Sequence, residues 1–482
     1  MRYKRVLLAN PAYTRSRVRG VFSAGLGYIA QALSEKGLEY DVLDMSLGYS
    51  YGALKRKIKV FAPGLLGISM MSYGYKETYG LIDRIKEDFP GLAIVAGGPH
   101  VSLLREKVLK DCPGLDYGIV MEGEETFTRL CGEDEVGNIK GLLYRRSGEV
   151  VYNGDREFLK DLDSIAFPRY EKFELERYFN KQINALPVIS SRGCPFECVY
   201  CPVSCSIGRV FRARSAENIL DELKYWYGKG YRYFSFGDDN FTLVKERVRE
   251  LCELIKESSL RGLMLSCDNG IRADKVDREL LTLMKEAGFY RLAIGVEAGN
   301  DRILKNLKKQ ETVARIEEAI KNACELCYEV DLFFLVGSPG ETREDLEDSF
   351  RIASRYPIGA AYFYNIIPFP NTELFRWIEE NGRFLAQPED YLDRYPIFDN
   401  EPVFETAEMP LEARKKALKD AFAITRKTAR RSWSRRMSGM GLLGRFLAFL
   451  YTSRLMQDVV LRNRSCKALA YRVSDAIIRK RR

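Results

Sequence analysis

The stretch Cys194-Pro-Phe-Glu-Cys198-Val-Tyr-Cys201 sets three thiols at a C-x3-C-x2-C spacing, directly after the apolar run Leu186-Pro-Val-Ile-Ser190. A strand feeding a short loop can turn all three sulfurs onto one small object. Thiolates are soft ligands that suit zinc or an iron–sulfur cluster. Zinc usually closes a structural site with four protein ligands and would want a matching pair or a histidine. The single histidine of the chain, His100, lies far upstream. Three ligands and one open metal position is the better reading, and a [4Fe–4S] cluster with one iron left free has that property.

At 482 residues the chain exceeds one compact core, so two or three domains are expected. A hydrophobic content of 46% with 30% charged residues describes a globular protein rather than a disordered one. Eleven cysteines at irregular spacing, with no signal peptide, argue against a secreted disulfide framework. No stretch reaches the ~18 uninterrupted apolar residues of a spanning helix. The expected location is the cytoplasm, where thiols stay reduced and a cluster survives. Charge is placed unevenly. From Pro410 to Arg482 there are 20 Lys/Arg against four acids, a balance of +16, and the whole chain is +9, so residues 1–409 are net −7. The basic character belongs to a tail.

Upstream of the thiols, short apolar strands at Arg5–Ala9, Glu39–Asp44, Leu65–Ser69, Ala93–Gly98 and Tyr117–Met121 alternate with helical segments. That rhythm predicts a doubly wound, Rossmann-like parallel sheet over residues 1–140, with ligands outside the carboxyl ends of the strands. Those ends carry Asn10-Pro11, Ser69-Met70, Gly97-Gly98-Pro-His100 and Glu122-Gly-Glu124. Gly97 and Gly98 fit either a close backbone approach to a ligand or a tight strand-to-helix turn.

A connector over 141–182 leads to the cysteines. Beyond them strands recur at Tyr231–Phe236, Gly262–Ser266, Arg291–Val296, Val330–Val336 and Ala360–Ile367. With Pro187–Ser190 they predict a partial (β/α)6 barrel over 183–385, whose working groups lie at the carboxyl ends of the strands. Residues 386–482 read as a helical, basic extension.

The cysteine loop and the ordered strand ends resemble the radical S-adenosylmethionine (SAM) enzymes, and residues 1–140 resemble the cobalamin-binding domain that precedes many of them. The resemblance implies a [4Fe–4S] cluster on Cys194, Cys198 and Cys201, its free iron chelating the amino and carboxylate groups of SAM. Tyr200 matches the aromatic that packs near the adenine. Asp238, Asp239 and Asn240 stand where that family receives the SAM ammonium, with a helix N-cap as the other reading. Arg272 reads either as a partner of the SAM carboxylate or as a surface arginine. Glu297, in Gly295-Val-Glu297-Ala, stands where the family binds ribose hydroxyls. Gly337-Ser-Pro-Gly-Glu341-Thr and Ile367-Pro-Phe-Pro-Asn-Thr372 match two further family turns. Cobalamin is the implied second cofactor, although the Asp-x-His-x-x-Gly loop of some members is missing. His100 reads as a turn histidine bonded to backbone, with an approach to the corrin as the alternative.

Cys205 is expected to be a bystander or substrate-facing, and Cys324 and Cys327 to be buried helix cysteines. The tail, with Gly441-Leu-Leu-Gly-Arg-Phe-Leu-Ala-Phe-Leu-Tyr451 at its apolar centre, predicts contact with an anionic membrane surface, a peripheral attachment rather than a span. Its aromatics lie within the apolar run, not among the cations, which disfavours nucleic acid. Helices packed on the barrel are the competing reading. Phe363, Tyr364, Phe369, Phe375 and Trp377 suggest an apolar barrel mouth. The expected activity is hydrogen abstraction by a 5′-deoxyadenosyl radical, fed by a reductant such as ferredoxin or flavodoxin. Its outcome would be carbon–carbon bond formation or methylation of an apolar substrate such as a membrane lipid or isoprenoid. Methylation or cyclisation of a tetrapyrrole, peptide or other small molecule is the alternative. A transfer-RNA-modifying enzyme and a non-catalytic electron carrier rank below both.

Overall fold

Apolar strands too short to be stable alone are buried here by the helices between them, giving two sheets stacked end to end. The computed structural model describes residues 1–13, 22–181, 185–399, 401–453 and 456. The first sheet has seven strands: β1 (Arg5–Asn10), β2 (Glu39–Asp44), β3 (Leu65–Ser69), β4 (Ala93–Gly97), β5 (Tyr117–Ile119), β6 (Leu142–Arg146) and β7 (Glu149–Tyr152). Their order is β2-β1-β3-β4-β5-β6-β7. The first five strands are parallel, and the order reverses at β1/β3, the point where such sheets open a ligand crevice.

The expectation of a wholly parallel sheet ending at residue 140 needs correction. Strands β6 and β7 run antiparallel, and they lie in the segment expected to be a connector. Their two-residue turn, Ser147-Gly148, has both residues at positive φ, the conformation that matches the twist of a tight hairpin.

The second sheet has six parallel strands in sequence order: β8 (Leu186–Val188), β11 (Tyr233–Phe236), β12 (Met264–Ile271), β13 (Phe289–Glu297), β14 (Glu329–Val336) and β15 (Ala360–Asn365). The parallel strands in sequence order agree with the expected repeat of strands and helices. A small antiparallel ribbon, β9 (Ser191–Arg192) with β10 (Arg212–Ala213), closes the base of the cysteine loop. A second pair, β16 (Gly382–Phe384) and β17 (Phe404–Thr406), follows the barrel.

An open barrel leaves an edge strand with unpaired backbone groups, a liability unless covered. The long helix Leu411–Arg436 covers it. Ala417, Leu418 and Ala421 are buried against the barrel, and the Ala361 N–H of β15 donates to Thr428 Oγ1 (3.3 Å). Arg431 donates to Ser354 O (2.9 Å), Arg435 to Ile358 O (2.5 Å), and Arg436 pairs with Glu329 (2.6 Å). Arg414 is wholly buried; it donates to Val336 O (3.3 Å) and stacks on Phe404 (3.8 Å). The basic helix Leu411–Arg436 is therefore a structural wall of the barrel.

Other expectations also change. Phe363 faces the helix side of the sheet, stacked on Phe334 at 4.6 Å, so it does not line the barrel mouth. Cys324 is half-buried and Cys327 exposed, not both buried.

At the carboxyl end of β4, Gly98 has φ +116°, and a Cβ there would lie 2.9 Å from Met70 O. Gly98→Ala is expected to cost about 1–3 kcal/mol through that strain, read as a lower urea midpoint at unchanged slope. An unchanged midpoint would contradict this reading of the turn.

Candidate active site

The cysteine loop hangs between the two sheets and is pinned at several points. The Cys194 N–H donates to Gly208 O (3.3 Å) and the Cys201 N–H to Cys198 O (3.1 Å). Val199 is held on both sides, its N–H donating to Leu307 O (3.1 Å) and its carbonyl accepting from Leu374 N–H (2.9 Å). The three thiols are half-buried, and Cys194 lies near enough to Cys198 and Cys201 to contribute to raising both. Burial pushes Cys201 up to about 12 and Cys198 upward as well. Such thiols stay protonated until a metal displaces the proton. Among the described residues no three His, Cys, Asp or Glu side chains converge as a single-ion site requires. Three thiols on one short loop suit a cluster in which each binds a separate iron.

The Asp-Asp-Asn segment after β11 divides its work. Asp238 is buried and already engaged: it accepts from Ser190 N–H (2.7 Å), from the Ser190 hydroxyl, and from Ser191 Oγ (2.9 Å), with Arg247 at 4.0 Å. It fastens the β8–β9 junction, which corrects the expectation that it is an open acceptor for the SAM ammonium. Asp239, half-buried beside it, is pushed up to about 6 by burial and by the Asp238 charge. Asn240 is buried, and neither its Oδ1 nor its Nδ2 has a partner. An unsatisfied buried polar group costs about 1–3 kcal/mol, so this open donor–acceptor pair fits a bound polar cosubstrate. None of the three caps the next helix, Lys245–Glu257, which starts after Val244.

Arg272 is likewise not free for a carboxylate. Its guanidinium donates to Asp274 (2.9 Å), Lys309 O (2.8 Å) and Gln310 O (3.3 Å), and lies 3.6 Å over the Phe196 ring. It clamps the cysteine loop to the segment Lys309–Gln310.

That clamp exposes a residue not anticipated from the sequence. Lys309 is buried, with Nζ 3.0 Å from Glu297 and 3.4 Å from Glu311. Burial alone would lower its pKa, but the two carboxylates outweigh that and hold it raised and charged. Its neighbours Lys308 and Gln310 both have φ in the left-handed region, as does Glu297. Strained non-glycine backbone of this kind persists where the surroundings demand it. Here a register shift at the end of β13 accompanies the turn of Glu297. Gly295 leaves the room: a Cβ there would lie 2.8 Å from Glu297 Oε1 and 3.1 Å from Lys309 Nζ. The Tyr200 ring packs beside them, its hydroxyl raised by burial and by the Glu297 charge. Cys198, Tyr200, Glu297 and Lys309 thus form one cluster. In sequence Lys309 looks like any solvated charge in Lys308-Lys309-Gln310-Glu311; the one hint is an acid–base pair just after a strand-end glutamate.

The first sheet points its carboxyl ends at this loop. The helix Pro99–Leu104, after Gly97-Gly98, packs on the short helix Val203–Ser206 that carries Cys205. Asn371 Nδ2 donates to Leu103 O (2.9 Å). Across the same junction Arg212 reaches both Glu122 oxygens (2.8 and 2.9 Å), while Arg192 spans Glu122 (3.2 Å) and Glu124 (2.6 Å). His100 is buried, stacked on Tyr75 (4.4 Å) with Nε2 3.1 Å from the Tyr79 hydroxyl, and burial lowers its pKa to about 3. It is a neutral packing residue, which removes the corrin approach considered above. Small residues (Ser69, Gly97, Gly98) remain at the strand ends. They offer a corrin no imidazole ligand.

SAM affinity is expected to fall below pH 6 by about tenfold per pH unit as Asp239 protonates. Calorimetric titration of the anaerobically reconstituted protein measures this. Asp239→Asn is expected to bind weakly with a flat profile, and an unchanged profile in this variant would remove Asp239 from the site.

Comparison with known proteins supports both halves. Residues 188–353 match the radical SAM superfamily model and residues 14–131 the B12 binding domain model. An uncharacterized methyltransferase of Pyrococcus horikoshii is 30% identical over 399 residues, covering 80% of this chain and 85% of that one. The cytidylyl-2-hydroxyethylphosphonate methyltransferase of Streptomyces wedmorensis is 28% identical, covering 82% and 84%. The fold is similar to that of the radical SAM methyltransferase TsrM from Kitasatospora setae, solved with cobalamin and a [4Fe–4S] cluster. That match has a TM-score of 0.67 at 19% identity, over 78% of this chain and 75% of that one. The chain belongs to the radical SAM superfamily, in the branch with an N-terminal B12-binding domain, and its cofactors are a [4Fe–4S] cluster, S-adenosylmethionine and cobalamin.

Proposed function

We propose that the chain is a cobalamin-dependent radical SAM methyltransferase that places a methyl group on carbon in a small organic molecule. The observation that carries this reading is the end-to-end arrangement of the two sheets. The carboxyl ends of β1–β5 and the cysteine loop meet across a buried ionic junction, so a corrin and a cosubstrate held there would share one chamber. The relatives named as methyltransferases align over most of both chains, which favours the same class of chemistry.

When bound, the cluster supplies the electron that cleaves SAM reductively, and cobalamin supplies the methyl group. The protein's part is binding, orientation and exclusion of water. Asp239 and Asn240 offer acceptors to an ammonium. Lys309, held by Glu297 and Glu311, offers a fixed cation to a carboxylate. Tyr200, packed beside Glu297 and the cysteines, would meet the adenine.

The barrel strands favour a substrate with both polar and flat apolar surface. On one wall Ser235 and Ser266 donate to Asp268 (2.8 and 2.7 Å), and Arg291 pairs with Asp331 (2.5 Å). On the other, Phe333 packs edge-on against Tyr362 and Tyr364 at 6.0 and 5.7 Å. A purely apolar lipid chain would desolvate the first wall without compensation. The comparisons lend no support to the lipid substrate expected from the sequence either.

Anaerobic reconstitution with iron, sulfide and hydroxocobalamin, then methyl-deuterated SAM and a reductant, tests the proposal. Retained corrin, 5′-deoxyadenosine, and transfer of deuterated methyl to a molecule in a host small-molecule extract are expected, all but the corrin being lost in Cys201→Ala. Formation of 5′-deoxyadenosine without retained corrin or label transfer would overturn the methyltransferase reading.

A further inference from the structure

The short helix Gly441–Tyr451 folds back on the end of the long helix. Gly444 packs against Met437, the Trp433 and Tyr451 rings lie 4.5 Å apart, and Arg430 stacks on Phe449 at 4.4 Å. Only the small residues Gly444 and Ala448 are buried in this contact. The other face presents Leu442 at 81% exposure, Leu443 and Phe446 at 57%, and Phe449 at 48%. Single exposed apolar residues are ordinary; four large ones on one short helix make a patch that marks an interaction surface.

The charge around the patch indicates what it meets. No Asp or Glu occurs between Asp420 and Asp458, while eight Lys/Arg do, among them Arg445 inside the apolar run. Arg445, Lys427 and Arg431 are exposed. At about 1.5 Å per residue the helix is far too short to cross a bilayer, and no described helix is long and apolar enough to do so. Large exposed apolar side chains with Arg430 and Arg445 among them, in a stretch of sequence without acids, match the boundary between acyl chains and anionic headgroups.

We propose that the helix Gly441–Tyr451 is an interfacial anchor that docks the protein on an anionic phospholipid surface. Its place in the fold suits that role. The long helix starts with Arg414 at the carboxyl end of β14 and ends with Arg436 on Glu329 at the amino end. The anchor therefore lies at the end of the barrel away from the cysteine loop, and docking leaves the loop open to a soluble reductant. Nucleic acid would use the cations but gain nothing from Leu442 and Phe446. A second copy of the chain would cover the apolar face but gain nothing from lipid charge.

Flotation of the full-length, cofactor-loaded protein with phosphatidylcholine vesicles, with and without phosphatidylglycerol, tests the proposal. Recovery with the anionic vesicles is expected to exceed that with the neutral ones about tenfold and to fall with added salt. A Leu442→Asp/Phe446→Asp variant is expected to lose that recovery while its cofactor content and 5′-deoxyadenosine yield stay at wild-type level. Equal recovery on neutral and anionic vesicles would overturn the proposal, independently of the variant's folding. So would a wild-type dimer that the variant dissolves, or RNA binding that removes the protein from vesicles.

Discussion

Two carboxylates, Glu122 and Glu124, hold the two halves of this molecule together. They leave the carboxyl end of the first sheet and meet Arg192 and Arg212, the residues that flank the cysteine loop on the ribbon β9–β10. The network is nearly dry. Removing one partner from such a buried pair costs about 3–5 kcal/mol, because the remaining charge is stranded. Its value here is geometric. Four side chains fix the distance and angle between the strand ends that receive a corrin and the loop that receives a cluster.

A second constraint operates inside the barrel. Glu297, Lys308 and Gln310 all hold left-handed backbone, and between the last two the Lys309 ammonium is directed at Glu297 and Glu311. Arg272 completes the frame by bonding the Lys309 and Gln310 carbonyls while stacking on Phe196 of the cysteine loop. The pocket is thus built before a cosubstrate arrives, with charges set and backbone strain held by packing. Pre-organisation of this kind lowers the reorganisation needed at the moment of reaction.

Much of this was legible in the sequence, for identifiable reasons. The strand–helix rhythm and the three cysteines are local patterns, and local patterns survive folding. The six barrel strands and the first five strands of the amino-terminal sheet lie where apolar runs placed them. The hairpin β6–β7 was missed because Leu142–Arg146 and Glu149–Tyr152 are short strands with polar residues at their ends, β7 at the sheet edge. The roles of Asp238 and Arg272 were misread because type and position do not reveal which partner takes a side chain's hydrogen bonds. Ser190, Ser191 and the Lys309 carbonyl settle that only in three dimensions. Lys309 was invisible for the converse reason: nothing local separates a buried lysine from a solvated one. The packing of the long basic helix was not legible because charge count says nothing about which face meets the barrel; Arg414 is buried against Val336 O and Arg436 pairs with Glu329, while the exposed Arg431 and Arg435 bond the Ser354 and Ile358 carbonyls from the surface.

The central claim is that the ionic junction sets the two cofactor sites face to face. The most direct measurement is the magnetic interaction, by electron paramagnetic resonance, between the reduced cluster and cob(II)alamin in protein loaded with both. One well-defined interaction is expected in the wild type, broadened or lost in a Glu122→Gln/Glu124→Gln variant that still binds each cofactor. An interaction unchanged in that variant, or absent from fully loaded wild-type protein, would contradict the account.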